Sequence, residues 1–70
     1  MKNRIDMAKA GKKLRELRGI RTLTGVSRQL NIPYSTLQSY EYGTREPSGN
    51  TKQILADYYG VTVESIFFAD

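Results

Sequence analysis

The segment from residue 33 to residue 42 carries the side chains best suited to binding another molecule. When it is drawn as a helix, with about 100° between successive residues, Pro33, Leu37 and Tyr40 face one way. Hydroxyl and amide groups fill the opposite side, and such groups can hydrogen-bond to base edges and to phosphates. The pattern indicates a helix with a buried face and a polar, uncharged face suited to binding another molecule, the second formed by Tyr34, Ser35, Gln38, Ser39 and Tyr42.

The residue types of the chain argue against catalysis and metal binding. With neither His nor Cys among 70 residues, it lacks the ordinary ligands of zinc and iron and cannot form a disulfide. A catalytic Ser or Thr would need a Lys or carboxylate base beside it, and no such cluster can be recognised. The glycines of segment 43–49 do not match a phosphate-binding loop. We therefore expect no enzyme activity, no cofactor and no metal.

Two short helices joined by a tight turn are predicted for the middle of the chain, at about residues 23–30 and 33–42. Apolar residues recur there at helical spacing. Asn31 tolerates the left-handed backbone that ends a helix, and Pro33 suits the first turn of the next helix. Ile32 is then expected to fill the space between the two helices.

A first helix is predicted at about residues 4–18. Asn3 can cap this helix, with Asp6 in its first turn, and Gly19 ends it. Its apolar residues recur every three or four positions, which places them on one face: Met7, Ala10, Leu14 and Leu17.

Two further helices are predicted near the end of the chain, at about residues 49–59 and 63–68. Ser48 or Asn50 caps the first of them, and Thr62 caps the second. The inner face of the helix at 49–59 is expected to hold Ile54, Leu55 and Tyr58.

Length and hydropathy limit the fold and its location. A chain of 70 residues buries only about 60% of its unfolded surface, which suits a single domain. No apolar run approaches the roughly 20 residues that cross a bilayer, and the N-terminus lacks the apolar core of a signal peptide. We therefore expect one all-α domain over residues 1–70, a compact bundle of five short helices in a cytoplasmic protein.

Positive charge is concentrated at the start of the chain. The formal net charge is +4, and eight of the eleven Lys and Arg residues lie within residues 1–21, together with only two acids. Such a basic segment suits a polyanion, of which nucleic acid is the commonest. A solvated helix face explains the charge pattern equally well.

Ten positions around the predicted turn match a known pattern at fixed spacing: Thr22, Val26, Ser27, Leu30, Asn31, Ile32, Leu37, Tyr40, Glu41 and Gly43. Through them the chain resembles the lambda-repressor-like, Xre-type helix-turn-helix regulators. The resemblance extends from about Gly11 to Phe68. It departs at Leu23, which replaces a common Gln, at Gly25 inside a helix, at Ser27 and Asn31, where Ala and Gly are usual, and in a short loop before Thr22.

The resemblance implies sequence-specific binding of double-stranded DNA by a small transcriptional regulator, a repressor of phage or mobile-element type. The helix at 33–42 would enter the major groove, where the Gln38 amide can bond adenine through two atoms. An Arg18–Glu41 pair would act as a structural clamp that fixes the angle of this helix. Bases would be contacted by Tyr34, Ser35, Gln38 and Ser39, and phosphates by Arg21, Thr22, Arg28, Tyr42 and Arg45.

One small domain covers a single half-site, so useful specificity implies a homodimer on a two-fold operator. The predicted dimer interface is the last helix, through Ile66, Phe67 and Phe68. Two alternatives remain open on the same fold. One is an antitoxin-like protein that also binds a protein partner, and the other is a protein-interaction module that does not bind DNA.

Overall fold

The computed structural model describes residues 5–68, which form five helices and no strand. The helices are α1 (Met7–Arg18), α2 (Leu23–Leu30), α3 (Tyr34–Tyr42), α4 (Gly49–Tyr59) and α5 (Glu64–Phe68). The last is a single turn with π-helical geometry. The predicted all-α bundle of five short helices is confirmed.

Helix α1 begins later than predicted. The Asp6 backbone is extended, and its side chain accepts a hydrogen bond from the Lys9 N–H at 3.2 Å, so Asp6 is the N-cap of α1. Asp favours this position because its carboxylate satisfies an N–H group that lacks an intrahelical partner. The placement of Asp6 in the first turn is therefore wrong, and the predicted cap at Asn3 lies outside the described residues. Gly19 ends the helix with a positive φ of 58°.

The turn between α2 and α3 has the predicted backbone. Asn31 adopts the left-handed conformation, with φ 56° and ψ 41°. The backbone N–H groups of Asn31 and Ile32 both donate to the carbonyl oxygen of Ser27. The Ser27 hydroxyl in turn donates to the Ile32 carbonyl oxygen. Ser27 therefore closes the turn from both its backbone and its side chain.

Pro33 is the N-cap of α3 rather than its first helical residue. Its carbonyl oxygen accepts the N–H groups of Thr36 at 3.0 Å and Leu37 at 3.1 Å, which starts the helix. The Pro33 side chain is exposed, so its predicted place on the inner face is wrong. A cap residue precedes the helical turns, and the helical-face rule does not extend to it.

All five helices contribute to one hydrophobic core. Ile54, which was predicted to face inward, is 38% exposed, whereas the next two residues of α4 are buried. The inner face of α4 is therefore rotated by one residue relative to the prediction. The buried hydrophobic residues are Ala10, Leu14, Val26, Leu37, Tyr40, Leu55, Ala56, Ile66 and Phe67.

The last helix contributes its apolar residues mainly to this core. Ile66 and Phe67 are 4% and 3% exposed, while Phe68 is 49% exposed. Thr62 caps the turn by accepting the Ser65 N–H at 3.1 Å. Of the three residues predicted for a dimer interface, only Phe68 presents apolar surface.

The C-terminal end of α3 lies directly on the backbone of α1. A Cβ atom added at Gly11 would contact the Glu41 carbonyl oxygen and would lie 2.7 Å from the Tyr40 carbonyl oxygen. One added at Gly43 would lie 2.9 Å from the Met7 carbonyl oxygen. Glycine is needed where two backbones approach this closely. No pattern in the sequence indicated this role for Gly11.

Candidate nucleic-acid interface

Helix α3 separates a buried face from a polar face. Leu37, Tyr40 and Glu41 are buried. On the opposite side, Tyr34 and Tyr42 are 47% and 67% exposed. Ser35 is also exposed, whereas Gln38 and Ser39 are partly buried. The five predicted DNA-contacting residues of α3 therefore occupy one surface, which carries no formal charge.

Tyr34 and Gln38 are neighbours on this surface because residues four apart in a helix lie one turn above the other. Ser35 lies beside them in the first turn of α3. A helix that enters the major groove presents its N-terminal residues to base edges. The arrangement places an aromatic ring, a hydroxyl and an amide where such contacts would occur.

Ser39 is less available as a hydrogen-bond donor than predicted. Its hydroxyl donates to the Ser35 carbonyl oxygen at 2.9 Å, four residues earlier in the same helix. A serine hydroxyl has only one hydrogen to donate, although its oxygen can still accept. Ser39 can therefore accept a bond from a base amino group without losing its contact with the helix.

Arg18 and Glu41 form a bidentate ion pair between α1 and α3. Arg18 Nε donates to Glu41 Oε2 at 2.7 Å, and Nη2 donates to Oε1 at 2.9 Å. Glu41 is buried, at 8% exposure. The hydrogen bond with Glu41 raises the pKa of Arg18 above its ordinary value, so this guanidinium stays charged.

The same guanidinium also holds the loop before α2. Arg18 Nη1 donates to the Arg21 carbonyl oxygen at 2.9 Å. The next residue, Thr22, is the N-cap of α2, and its hydroxyl accepts the Gly25 N–H at 2.9 Å. One side chain therefore connects the end of α1, the start of α2 and the end of α3.

The Arg21 side chain, predicted to bind phosphate, folds back onto the protein. Its Nη1 donates to the Leu17 carbonyl oxygen at 3.2 Å. The guanidinium carbon lies 5.7 Å from the ring centroids of both Tyr58 and Tyr59, within the range of cation–π attraction. Arg21 therefore joins α1 to α4, a contact that depends on tertiary packing and left no signal in the sequence.

Tyr58 and Tyr59 pack edge to face, with ring centroids 5.0 Å apart. Burial of Tyr59, together with the negative charge of Glu41, raises the pKa of Tyr59 to about 12. Its hydroxyl therefore stays protonated at neutral pH.

The other predicted phosphate ligands lie in separate places. Thr22 and Arg28 lie at opposite ends of α2, and Arg28 is exposed. Arg45 is exposed in the loop that follows α3. Beside it, Glu46 pairs with Lys52 of α4 at 2.8 Å, a contact that the sequence analysis did not predict.

Within residues 5–68, no group of three or more His, Cys, Asp or Glu side chains is placed to hold a metal ion. No helix in the same range is long and apolar enough to cross a membrane.

Known proteins share this arrangement. A helix-turn-helix family model matches residues 12–66. The structure of the S. venezulae BldD DNA-binding domain is 30% identical, with a TM-score of 0.75, and the match covers 89% of this chain and 96% of that one. A crystal structure of the DNA-binding domain of BldD is also 30% identical, with a TM-score of 0.74 and coverage of 89% and 93%. A search of curated proteins found no match.

The family match covers most of the chain and includes the α2–turn–α3 unit, both residues of the Arg18–Glu41 pair, all of α4 and parts of α1 and α5. It confirms the resemblance inferred from the residues around the turn. The chain belongs to the helix-turn-helix family, in its lambda-repressor-like, Xre-type form.

Proposed function

We propose that this protein binds double-stranded DNA sequence-specifically and acts as a transcriptional regulator. The main observation is the polar, uncharged face of α3, which lies opposite the buried residues Leu37 and Tyr40. The similar solved structures are both described as DNA-binding domains, which supports the proposal. Family membership by itself would support only the fold, because one fold can serve several functions. The exposed polar groups of α3 are the feature that favours DNA binding.

In the proposed complex, α3 enters the major groove with its N-terminal end toward the bases. The Gln38 amide pairs with adenine through two hydrogen bonds, which discriminates against other bases by roughly 1–3 kcal/mol. Tyr34 and Ser35 contact neighbouring base edges, and Ser39 accepts a bond through its oxygen. Sequence is recognised by these side chains together.

Phosphate contacts fix the position of α3 in the groove. The start of α2 at Thr22 is suited to an anion because the first N–H groups of a helix lack intrahelical partners. Tyr42 and the exposed side chains of Arg28 and Arg45 supply further contacts. The Arg21 guanidinium is held over Tyr58 and Tyr59. Arg21 therefore contributes to phosphate binding through its main chain and through the positive charge that it adds near the start of α2.

The finer parts of the proposal concern assembly and role. We place the protein in the cytoplasm as a non-catalytic repressor that binds a two-fold operator as a homodimer. Phe68 is the apolar residue of α5 left to contribute to a dimer interface. One exposed side chain gives far less area than a stable interface requires, so DNA is expected to drive pairing of the subunits.

Selection from random duplex DNA at near-physiological salt tests the proposal. We expect an enriched two-fold motif, with binding to the selected duplex weakened at least tenfold by Gln38→Ala. Gln53→Ala is the matched control, because Gln53 is an exposed glutamine on α4. Absence of an enriched motif, with only weak and salt-sensitive binding, would contradict sequence specificity and favour the antitoxin-like or protein-interaction alternative.

A further inference from the structure

Lys52 is held in one position beside the loop that follows α3. Its Nζ lies 2.8 Å from Glu46 Oε2, and only 13% of its side chain is exposed, against 50% for Glu46. The same Nζ lies 5.7 Å from the ring centroids of Phe67 and Phe68. An ammonium group on a side chain this little exposed to solvent has lost much of its hydration. A carboxylate and aromatic ring faces must take the place of that water. Lys52 therefore forms a defined anchor for Glu46.

Arg45 lies between two anchored parts of that loop. On one side, the Thr44 N–H and hydroxyl both donate to the Ser39 carbonyl oxygen, at 3.0 and 3.3 Å. On the other side, Glu46 is paired with Lys52. Arg45 itself is exposed. Its backbone is therefore held from both sides while its side chain can reach another molecule.

We propose that Lys52 is a positioning residue for DNA binding, which holds Arg45 within reach of a phosphate through its pair with Glu46. The inference rests on the proposed function, because it assumes that Arg45 contacts DNA. Ordering a loop before binding lowers the conformational entropy lost in the complex. Lys52 acts through the loop and does not touch DNA.

Glu46→Gln tests the proposal because positioning and general electrostatics predict opposite results. Removal of one acid from a chain of net charge +4 should strengthen attraction to DNA if only charge matters. Loss of the Arg45 contact should instead weaken binding about fivefold at about 0.15 M salt, and should reduce the log–log salt slope by about 0.9, the contribution of one phosphate. Asp57→Asn is the control, since it removes an exposed acid of α4 away from this loop.

Three further variants connect the effect to Arg45 and Lys52. Arg45→Ala should weaken binding to the selected duplex by the same factor, and adding Glu46→Gln to Arg45→Ala should cause no further loss. Lys52→Arg keeps the positive charge and should retain the wild-type salt slope. Circular dichroism and urea unfolding establish that each variant is folded.

Each outcome supports or overturns the positioning role. Failure of the wild-type protein to bind any duplex would overturn the proposed function and this inference with it. Binding by the wild type, with Glu46→Gln as tight as Asp57→Asn, would overturn the inference alone and would show that Thr44 and the buried Pro47 suffice to hold the loop. An unchanged affinity in Arg45→Ala would also overturn it.

Discussion

At the scale of single residues, the Arg18 side chain connects α1 to the start of α2 and to the end of α3. Its three nitrogen donors reach two oxygens of Glu41 and the backbone of Arg21. The resemblance implied the pair with Glu41, because Arg18 lies near the end of the first helix and Glu41 near the end of α3, as in the family pattern. The bond to Arg21 could not be predicted, since it depends on the path of the short loop after Gly19.

Removal of Arg18 should destabilise the protein strongly. Arg18→Met leaves the buried Glu41 carboxylate without its partner, and we expect the free energy of unfolding to fall by about 3 kcal/mol. Urea denaturation measures the change. Arg15→Met, an exposed position on the same helix, should change it by less than about 0.5 kcal/mol. Equal effects of the two substitutions would show that the Arg18–Glu41 pair does not stabilise the fold.

Tyr59 should make stability depend on pH in the alkaline range. Burial and the Glu41 charge raise its pKa from 10.0 to about 12 in the folded protein. Between these values the unfolded chain binds fewer protons than the folded one, so the free energy of unfolding decreases as the pH rises. The stability associated with protonated Tyr59 is fully present below pH 10 and is lost as the pH rises to about 12.

The alkaline titration can be measured directly. Tyrosinate absorbance should show one late-titrating group in the wild type that is missing in Tyr59→Phe. The free energy of unfolding of Tyr59→Phe should also decrease less steeply over the same pH range. Identical pH profiles of the two proteins would contradict the assignment to Tyr59.

At the scale of elements, the parts of the fold predicted correctly depend on local chemistry. The α2–α3 turn follows from Asn31, whose side chain tolerates the left-handed backbone, and Ser48, one of the two candidates, is the N-cap of α4. The errors at Asp6 and Pro33 were local and concerned which residue is the cap, whereas two others arose where tertiary packing decides. The rotated face of α4 exposes Ile54, and the contact of α3 with Gly11 requires two helices that are distant in the sequence.

The contact at Gly11 gives a prediction with an internal control. Alanine normally stabilises a helix by about 1 kcal/mol relative to glycine. At Gly11 the added Cβ would overlap the Glu41 carbonyl oxygen, so we expect Gly11→Ala to lower the free energy of unfolding by about 2 kcal/mol or more. At Gly49, the first residue of α4, a Cβ would meet nothing within 4 Å.

Gly49→Ala should therefore be neutral or slightly stabilising, by up to about 0.5 kcal/mol. Thermal unfolding monitored by circular dichroism would distinguish the two variants. A Gly11→Ala protein as stable as Gly49→Ala would mean that α1 and α3 can separate without cost.

At the scale of the whole molecule, the five helices within residues 5–68 share one core, to which that range contributes nine buried hydrophobic residues. The bundle was predictable because each helix carries its own apolar stripe and its own start or stop residue. The dimer interface was harder to predict, because Ile66 and Phe67 have the same apolar character whether they pack inward or against a second subunit. The structure uses both of them in the core.

The oligomeric state should therefore depend on DNA. We expect a monomer at micromolar concentration without DNA and two subunits on the selected two-fold duplex, as measured by analytical ultracentrifugation. Phe68→Ser should weaken binding to the two-fold duplex more than binding to a single half-site, where only its contact with Lys52 is lost. A monomer bound to the complete two-fold duplex would contradict pairing.

Because the backbones of α3 and α1 are in direct contact, the residues that hold α3 in place differ from those proposed to contact bases. Because Gly11 and Gly43 let main chain meet main chain, the position of α3 depends little on its own exposed side chains. In the proposed complex with DNA, exchanges at Tyr34, Ser35 and Gln38 would then alter the preferred base pairs while the scaffold stays unchanged. Mutational drift could therefore retarget such a regulator to a new operator in single steps, each of which leaves a folded protein.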